Sequence, residues 1–163
     1  MNLDIDITLK IPWLAKLRPA KLDAATRAAL HPAVSEAVLL VEHHVKKRTP
    51  VGATEAARGS IQSAVELVRG RRLEVRGTVT SALDYIVPLE KGSRPHWAPI
   101  GPLKLWARRV LGNEGLAYAV RAAIAKRGTK GKFMFRDGFL AAKPKAQAIM
   151  EEGARKWTAL LKR

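Results

Sequence analysis

An α+β fold is predicted: a small antiparallel β-sheet with a long N-terminal helix packed across it, further helices in the C-terminal half, and extended interface arms. Three patterns carry this prediction. Residues 3–11 alternate apolar and polar side chains, residues 32–48 place an apolar stripe at helical spacing, and residues 61–80 read as a hairpin. At 163 residues the chain is long enough for one domain with a real core. We divide it into an N-terminal strand or arm (1–12), an α+β core (23–140) containing a loop at 93–102, and a C-terminal helix (141–163).

In the first segment Leu3, Ile5, Ile7, Leu9 and Ile11 alternate with Asp4, Asp6, Thr8 and Lys10, and Pro12 ends the pattern. This half-buried strand has no hairpin partner nearby. Its backbone groups need a distant strand or another subunit, which makes it a candidate arm for strand addition. Asp23 is placed to cap a short helix ending near Leu30, and Pro32 suits the first turn of a second helix ending at Arg48. There Val34, Ala37, Val38, Val41 and Val45 form one stripe. Lys46, Lys47 and Arg48 complement the helix dipole at its end. Pro50 excludes helical geometry at Thr49 and stops it.

The hairpin follows. Ile61 to Arg69 and Arg72 to Thr80 are joined through Gly70-Arg71, with Leu73, Val75, Gly77 and Val79 on one face. Tyr85 to Leu89 is a short apolar turn or helical piece ending at Gly92. Pro95, Pro99, Gly101 and Pro102 make 93–102 a loop. Helical spacing returns over Leu103–Leu111 (Leu103, Trp106, Ala107, Val110) and again over the alanine-rich run Leu116–Arg127. Gly128 to Lys132 is a turn and Phe133-Met134-Phe135 a short strand. The last helix is predicted over Ala142–Leu161, with Pro144 in its first turn and Ile149, Trp157, Leu160 and Leu161 in its buried stripe.

Charge is the compositional outlier: 30 Lys and Arg against 14 Asp and Glu, formally +16. Residues 91–163 hold 17 basic and 4 acidic side chains, so the excess is concentrated there. A polyanionic partner and a merely solvated basic surface explain this equally well at this level. There is no cysteine, hence no disulfide or thiolate metal site, in keeping with a reducing cytoplasm. No apolar run reaches a membrane span and the N-terminus lacks a signal-peptide pattern. The chain therefore reads as soluble and made in the cytoplasm.

Signs of catalysis are weak. His43 and His44 are adjacent, about 100° apart on a helix, and neither they nor His31 and His96 have zinc-ligand spacing. Gly128-Thr129-Lys130-Gly131-Lys132 lacks the spacing and the following Ser or Thr of a phosphate loop. No nucleophile elbow surrounds Ser60, Ser63, Ser81 or Ser93. No catalytic, cofactor or metal site is assigned, and no cofactor. Arg94, His96, Trp97, Lys104, Trp106, Arg108 and Arg109 interleave cations with indoles. Such mixtures occur at nucleic-acid grips and at protein interfaces. Lacking a nucleic-acid-binding motif, the stretch reads better as protein interface. The candidate interface residues are Ile5, Ile7, Arg94, His96, Trp97, Ile100, Lys104, Arg108 and Arg109.

Taken in order, Thr49-Pro50-Val51, Arg58-Gly59-Ser60-Ile61, Tyr85, Glu90-Lys91-Gly92-Ser93 and Ile124 to Gly131 resemble the motifs of a family of tailed-phage proteins. This is the gene-product-ten-like family of head–tail joining and tail-completion proteins. The likeness runs from about Val34 to Phe139. It departs at Thr54-Glu55-Ala56-Ala57-Arg58, where members often carry a glycine. The resemblance implies a structural virion protein, not an enzyme. It implies a subunit of a neck ring, hexameric in similar proteins, that joins the portal or connector to tail-tube or tail-terminator proteins and can contact passing DNA. It gives Thr49, Pro50, Val51, Arg58, Ser60, Tyr85, Glu90 and Gly92 scaffold roles. The alternatives are a basic nucleic-acid-binding protein and, less favoured, a small basic nuclease or toxin using His96 or Glu90.

Overall fold

The alternating residues at the N-terminus and in the hairpin satisfy one another. In the computed structural model, which describes residues 5–9, 19–52, 55–69 and 73–162, β1 (Ile5–Leu9) pairs antiparallel with β3 (Leu73–Ser81). Ile5 lies opposite Val79 and Ile7 opposite Gly77. β2 (Ile61–Arg69) takes the other side of β3, with Ile61 opposite Ser81 and Val65 opposite Gly77. The sheet order is β1-β3-β2. The distant partner required by the first strand is thus β3 of the same chain. Ile5 and Ile7 do not form a free arm; they belong to β1, an edge strand of the sheet among the described residues. The connection at 70–71 and the strand's flanks, Pro12 included, lie outside the described residues.

Above the sheet lies a helix that runs from Pro19 to Arg48 in three pieces: α1 (Pro19–Ala25), a π-helical turn (Thr26–Leu30) and α2 (His31–Arg48). Val34, Val38, Val41 and Val45 are fully buried on the face shared by β2, β3 and the C-terminal helix. The break predicted near Leu30 is not a break, and Asp23 is not a cap. It sits inside the helix and accepts from Arg27 Nε at 3.3 Å. Pro32 explains the error: it lacks an N–H and its ring clashes with the carbonyl four residues back. The wider π turn, in which the His31 N–H reaches the Thr26 carbonyl, lets the chain pass this point without unwinding. At the far end Thr49 is extended (ψ 123°) before Pro50, as predicted.

The C-terminal helix, α7 (Met134–Lys162), is longer than predicted and begins where a strand was predicted. The run Phe133-Met134-Phe135 is too short to separate strand from helix by pattern. Tertiary contacts decide it: Met134 and Phe135 are buried in the core as the first turn of α7. Pro144 consequently lies in the helix interior, on its exposed side. Gly138, Ala142, Ala146 and Gly153 give α7 a small-residue seam along α2, and Trp157 and Leu161 close the core beyond it. Leu160 is 37% exposed rather than part of the buried stripe.

Glu42 of α2 links helix to sheet. It accepts from Lys46 Nζ at 2.5 Å and from Ser63 Oγ on β2. Partial burial pushes its pKa up, but the Lys46 and Ser63 hydrogen bonds outweigh this and hold it below the usual glutamate value. A carboxylate depressed in the folded state stabilises fully above its unfolded pKa, roughly 4.3, and that contribution fades as pH falls through the folded value. Chemical-denaturation curves for the wild type should therefore lose stability below about pH 4 more steeply than those of Glu42→Gln. Parallel pH profiles would count against this linkage.

Candidate interaction surface

Two distant glycine-containing runs meet at the base of the C-terminal half. α4 (Ile86–Lys91) ends at Gly92, where β4 (Gly92–Ser93) pairs with β5 (Thr129–Lys130). Ser93 N–H donates to Thr129 Oγ1 at 3.1 Å, and the two hydroxyls lie 2.9 Å apart. Gly92 (φ +85°) and Gly128 (φ +68°) occupy left-handed conformations. A Cβ on either would strike backbone of the facing strand, Thr129 O and Ser93 O respectively. The clasp thus requires glycine on both sides. Beside it, the Lys132 and Phe133 N–H groups donate to the Leu89 and Glu90 carbonyls at 2.9 and 3.0 Å.

Glu90 fastens this clasp to the core. It is 4% exposed, and its two carboxylate oxygens accept from the Phe135 and Arg136 N–H groups at 2.9 and 3.1 Å. These are unpaired donors of the first turn of α7, so Glu90 caps a helix that begins more than forty residues later. At the C-terminal end of α2, which packs beside the first turns of α7 (Val45 against Gly138), Arg58 Nη2 donates to the Thr49 carbonyl at 3.1 Å, tying the end of α2 to α3 (Ala56–Gly59). Ser60 Oγ lies 2.7 Å from Ser81 Oγ where β2 begins and β3 ends. Thr49, Arg58, Ser60, Glu90 and Gly92 all join elements. Pro50 is half-buried, while Val51 (49% exposed) and the Tyr85 side chain (47%) stand at the surface.

Everything between the two halves of the clasp is looped out as a helical hairpin. α5 (Ile100–Trp106) continues through a π-helical turn (Ala107–Leu111) to the left-handed Gly112, and α6 (Leu116–Arg127) returns. The predicted loop is therefore shorter, since Ile100 already starts α5. The two helices pack on each other, through the fully buried Ala107 and Ala117, rather than on α2, α7 or the three-stranded sheet. Val110, read above at helical spacing with Leu103, Trp106 and Ala107, is 48% exposed, with Leu111 (43%), Leu116 (42%) and Tyr118 (57%) near the tip. A helix without a supporting layer has no far side on which to bury a stripe. Those tip residues were missed in the sequence; the absence of a clear apolar face on α6 was the available signal.

The contacts along the hairpin seam run antiparallel. Arg108 and Lys104 lie 3.9 and 3.5 Å from the Glu114 carboxylate, Lys104 Nζ sits 5.4 Å from the Tyr118 ring, and the Arg121 guanidinium sits 5.1 Å from the Trp97 ring. Lys104 is held above the ordinary lysine range, first by Tyr118 and then by Glu114. Trp97 remains 69% exposed. Arg94, His96, Arg108 and Arg109 are exposed, Ile100 and Lys104 half-buried, and His96 Nδ1 is 2.9 Å from the Arg94 carbonyl. Seven of the nine candidate interface residues thus share this hairpin and its base; Ile5 and Ile7 lie apart in the sheet. Residues 94–132 carry nine basic side chains and a single acid, Glu114.

Among the described residues, no three His, Cys, Asp or Glu side chains converge to hold a metal ion, and no helix is long and apolar enough to cross a membrane. His43 and His44 stack edge to face at 5.8 Å on α2. No protein-family model, curated protein or solved structure matches this chain.

Proposed function

We propose that this chain is a structural virion protein of a tailed bacteriophage, a neck or tail-completion subunit whose ring joins the portal or connector to the tail. The observation that carries the reading is the division of labour around the clasp. The motif residues Thr49, Arg58, Ser60, Glu90 and Gly92 are spent on joining elements, while the basic hairpin they support stands clear of the core. A rigid scaffold presenting an arm suits a subunit that makes heterologous contacts around an axis. The exposed Trp97 and Arg108 are residue types favoured at the centres of such contacts, and the exposed apolar tip at Val110, Leu111 and Leu116 adds surface for a partner to bury. The partners are further copies of the chain and the portal, connector, tail-tube or terminator proteins, and the place of action is the assembled particle.

Negative-stain electron microscopy of the purified chain, alone and mixed with tail extract, tests this. Closed rings, or density added at the top of the tail, are expected. A strict monomer that joins no particle would rule the reading out.

A further inference from the structure

We propose that the α5–α6 hairpin binds the phosphate backbone of a nucleic acid without reading its sequence. This stands on the charge and geometry of the hairpin and does not depend on ring formation. Residues 94–132, the hairpin and its base, carry nine cations against one carboxylate and make little contact with the core; Arg94, Arg108, Arg109, Lys126, Arg127, Lys130 and Lys132 are exposed to solvent. α7 is different: its six cations, Arg136, Lys143, Lys145, Arg155, Lys156 and Lys162, stand with three acids, and Asp137 pairs with Arg136 while Glu152 pairs with both Arg155 and Lys156.

Within the hairpin the cations are ordered. Lys104 on α5 and Arg108 in the π-helical turn that continues it are four residues, about 6 Å of helix rise, apart. On the returning helix Arg121 sits over Trp97, and at the base Lys130 lies in the clasp strand opposite Gly92, with Arg94 following Ser93. A cluster of cations along one element suits a polymer with a charge every ~1.7 Å of duplex axis or ~3.4 Å along one strand. An acidic protein groove rarely offers such uniform density. Glu114 is the one feature opposing the ligand, since it draws on two of the cations.

The test is fluorescence anisotropy with a 20-bp duplex, a 20-nucleotide single strand and polyglutamate, each across 50–300 mM salt. Binding of the duplex at about micromolar Kd in 50 mM salt is expected, weakening steeply with salt. Replacing Arg94, Arg108, Lys126 and Arg127 together by Gln should weaken it at least tenfold and reduce the logarithmic salt slope by roughly three to four. The same charge removed from α7 (Lys143, Lys145, Arg155 and Lys156 to Gln) should cost several times less. Glu114→Gln should tighten binding about two- to threefold, a gain that no folding defect can imitate. Trp97→Ala should weaken the single strand more than the duplex if bases stack on the exposed indole. No binding at 50 mM salt, equal losses from the two quadruple variants, or tighter binding of polyglutamate than of duplex at equal charge would overturn the proposal. The last result would assign the hairpin to an acidic polypeptide. Failure here leaves rings visible by microscopy, so the two readings fail separately.

Discussion

Trp157→Ala is expected to lower stability by roughly 3–5 kcal/mol, the cost of emptying a buried aromatic site. For a chain of this size that is a fall in melting temperature of about 6–20 °C. Trp157 is 1% exposed and the largest of the fully buried side chains among the described residues. It also spans the fold: its indole Nε1 donates to Thr26 Oγ1 at 3.1 Å, in the π turn between α1 and α2. Thr26 is itself fully buried, so losing the donor leaves a hydroxyl without its partner. Trp157→Phe should therefore cost more in the wild type than in a Thr26→Val background, where no orphan hydroxyl remains. Thermal melts of the four proteins form a double-mutant cycle. Additive costs would mean that the hydrogen bond contributes nothing beyond packing.

Glu90→Ala should be nearly as damaging, by about 2–4 kcal/mol. It removes a buried carboxylate and orphans two backbone donors at the start of α7. Glu90→Gln keeps one acceptor oxygen and should lose about half as much. Amide hydrogen exchange distinguishes capping from bulk packing: the Phe135 and Arg136 amides should lose protection well beyond the global change in Glu90→Ala. Uniform loss across α7 would argue for a packing role alone. Acid–base chemistry at Glu90 would require access that a 4% exposed, doubly hydrogen-bonded carboxylate does not have.

The parts legible in the sequence were those with local periodicity. The stripe of Val34, Val38, Val41 and Val45 and the alternation of Val75, Gly77 and Val79 each pointed to the buried face observed. Pro50 stopped α2 because its effect on Thr49 is local. What failed was decided by distant groups. Nothing near Phe133 announces that the Glu90 carboxylate will cap a helix there, and nothing near Pro32 announces a π turn that accommodates it. The candidate surface was half legible. The cations and Trp97 were visible as composition, but their separation from the core follows from the pairing of Gly92-Ser93 with Thr129-Lys130, which no window of sequence displays. The strand of Ile5 and Ile7 was legible as a strand, whereas its partner was not.

Because Ser93 and Thr129 are paired neighbours, residues 94–127 can be replaced by a short Gly-Ser turn that joins β4 to Gly128 without stretching the clasp. The scaffold should keep its melting temperature within a few degrees, since α2, α7 and the three-stranded sheet lose no layer. The decisive measurement is electron microscopy of this shortened chain beside the full one, each mixed with tail extract. Rings or particle-bound density for the full chain and none for the folded, shortened chain are predicted. Equal assembly by both would contradict a hairpin-borne function.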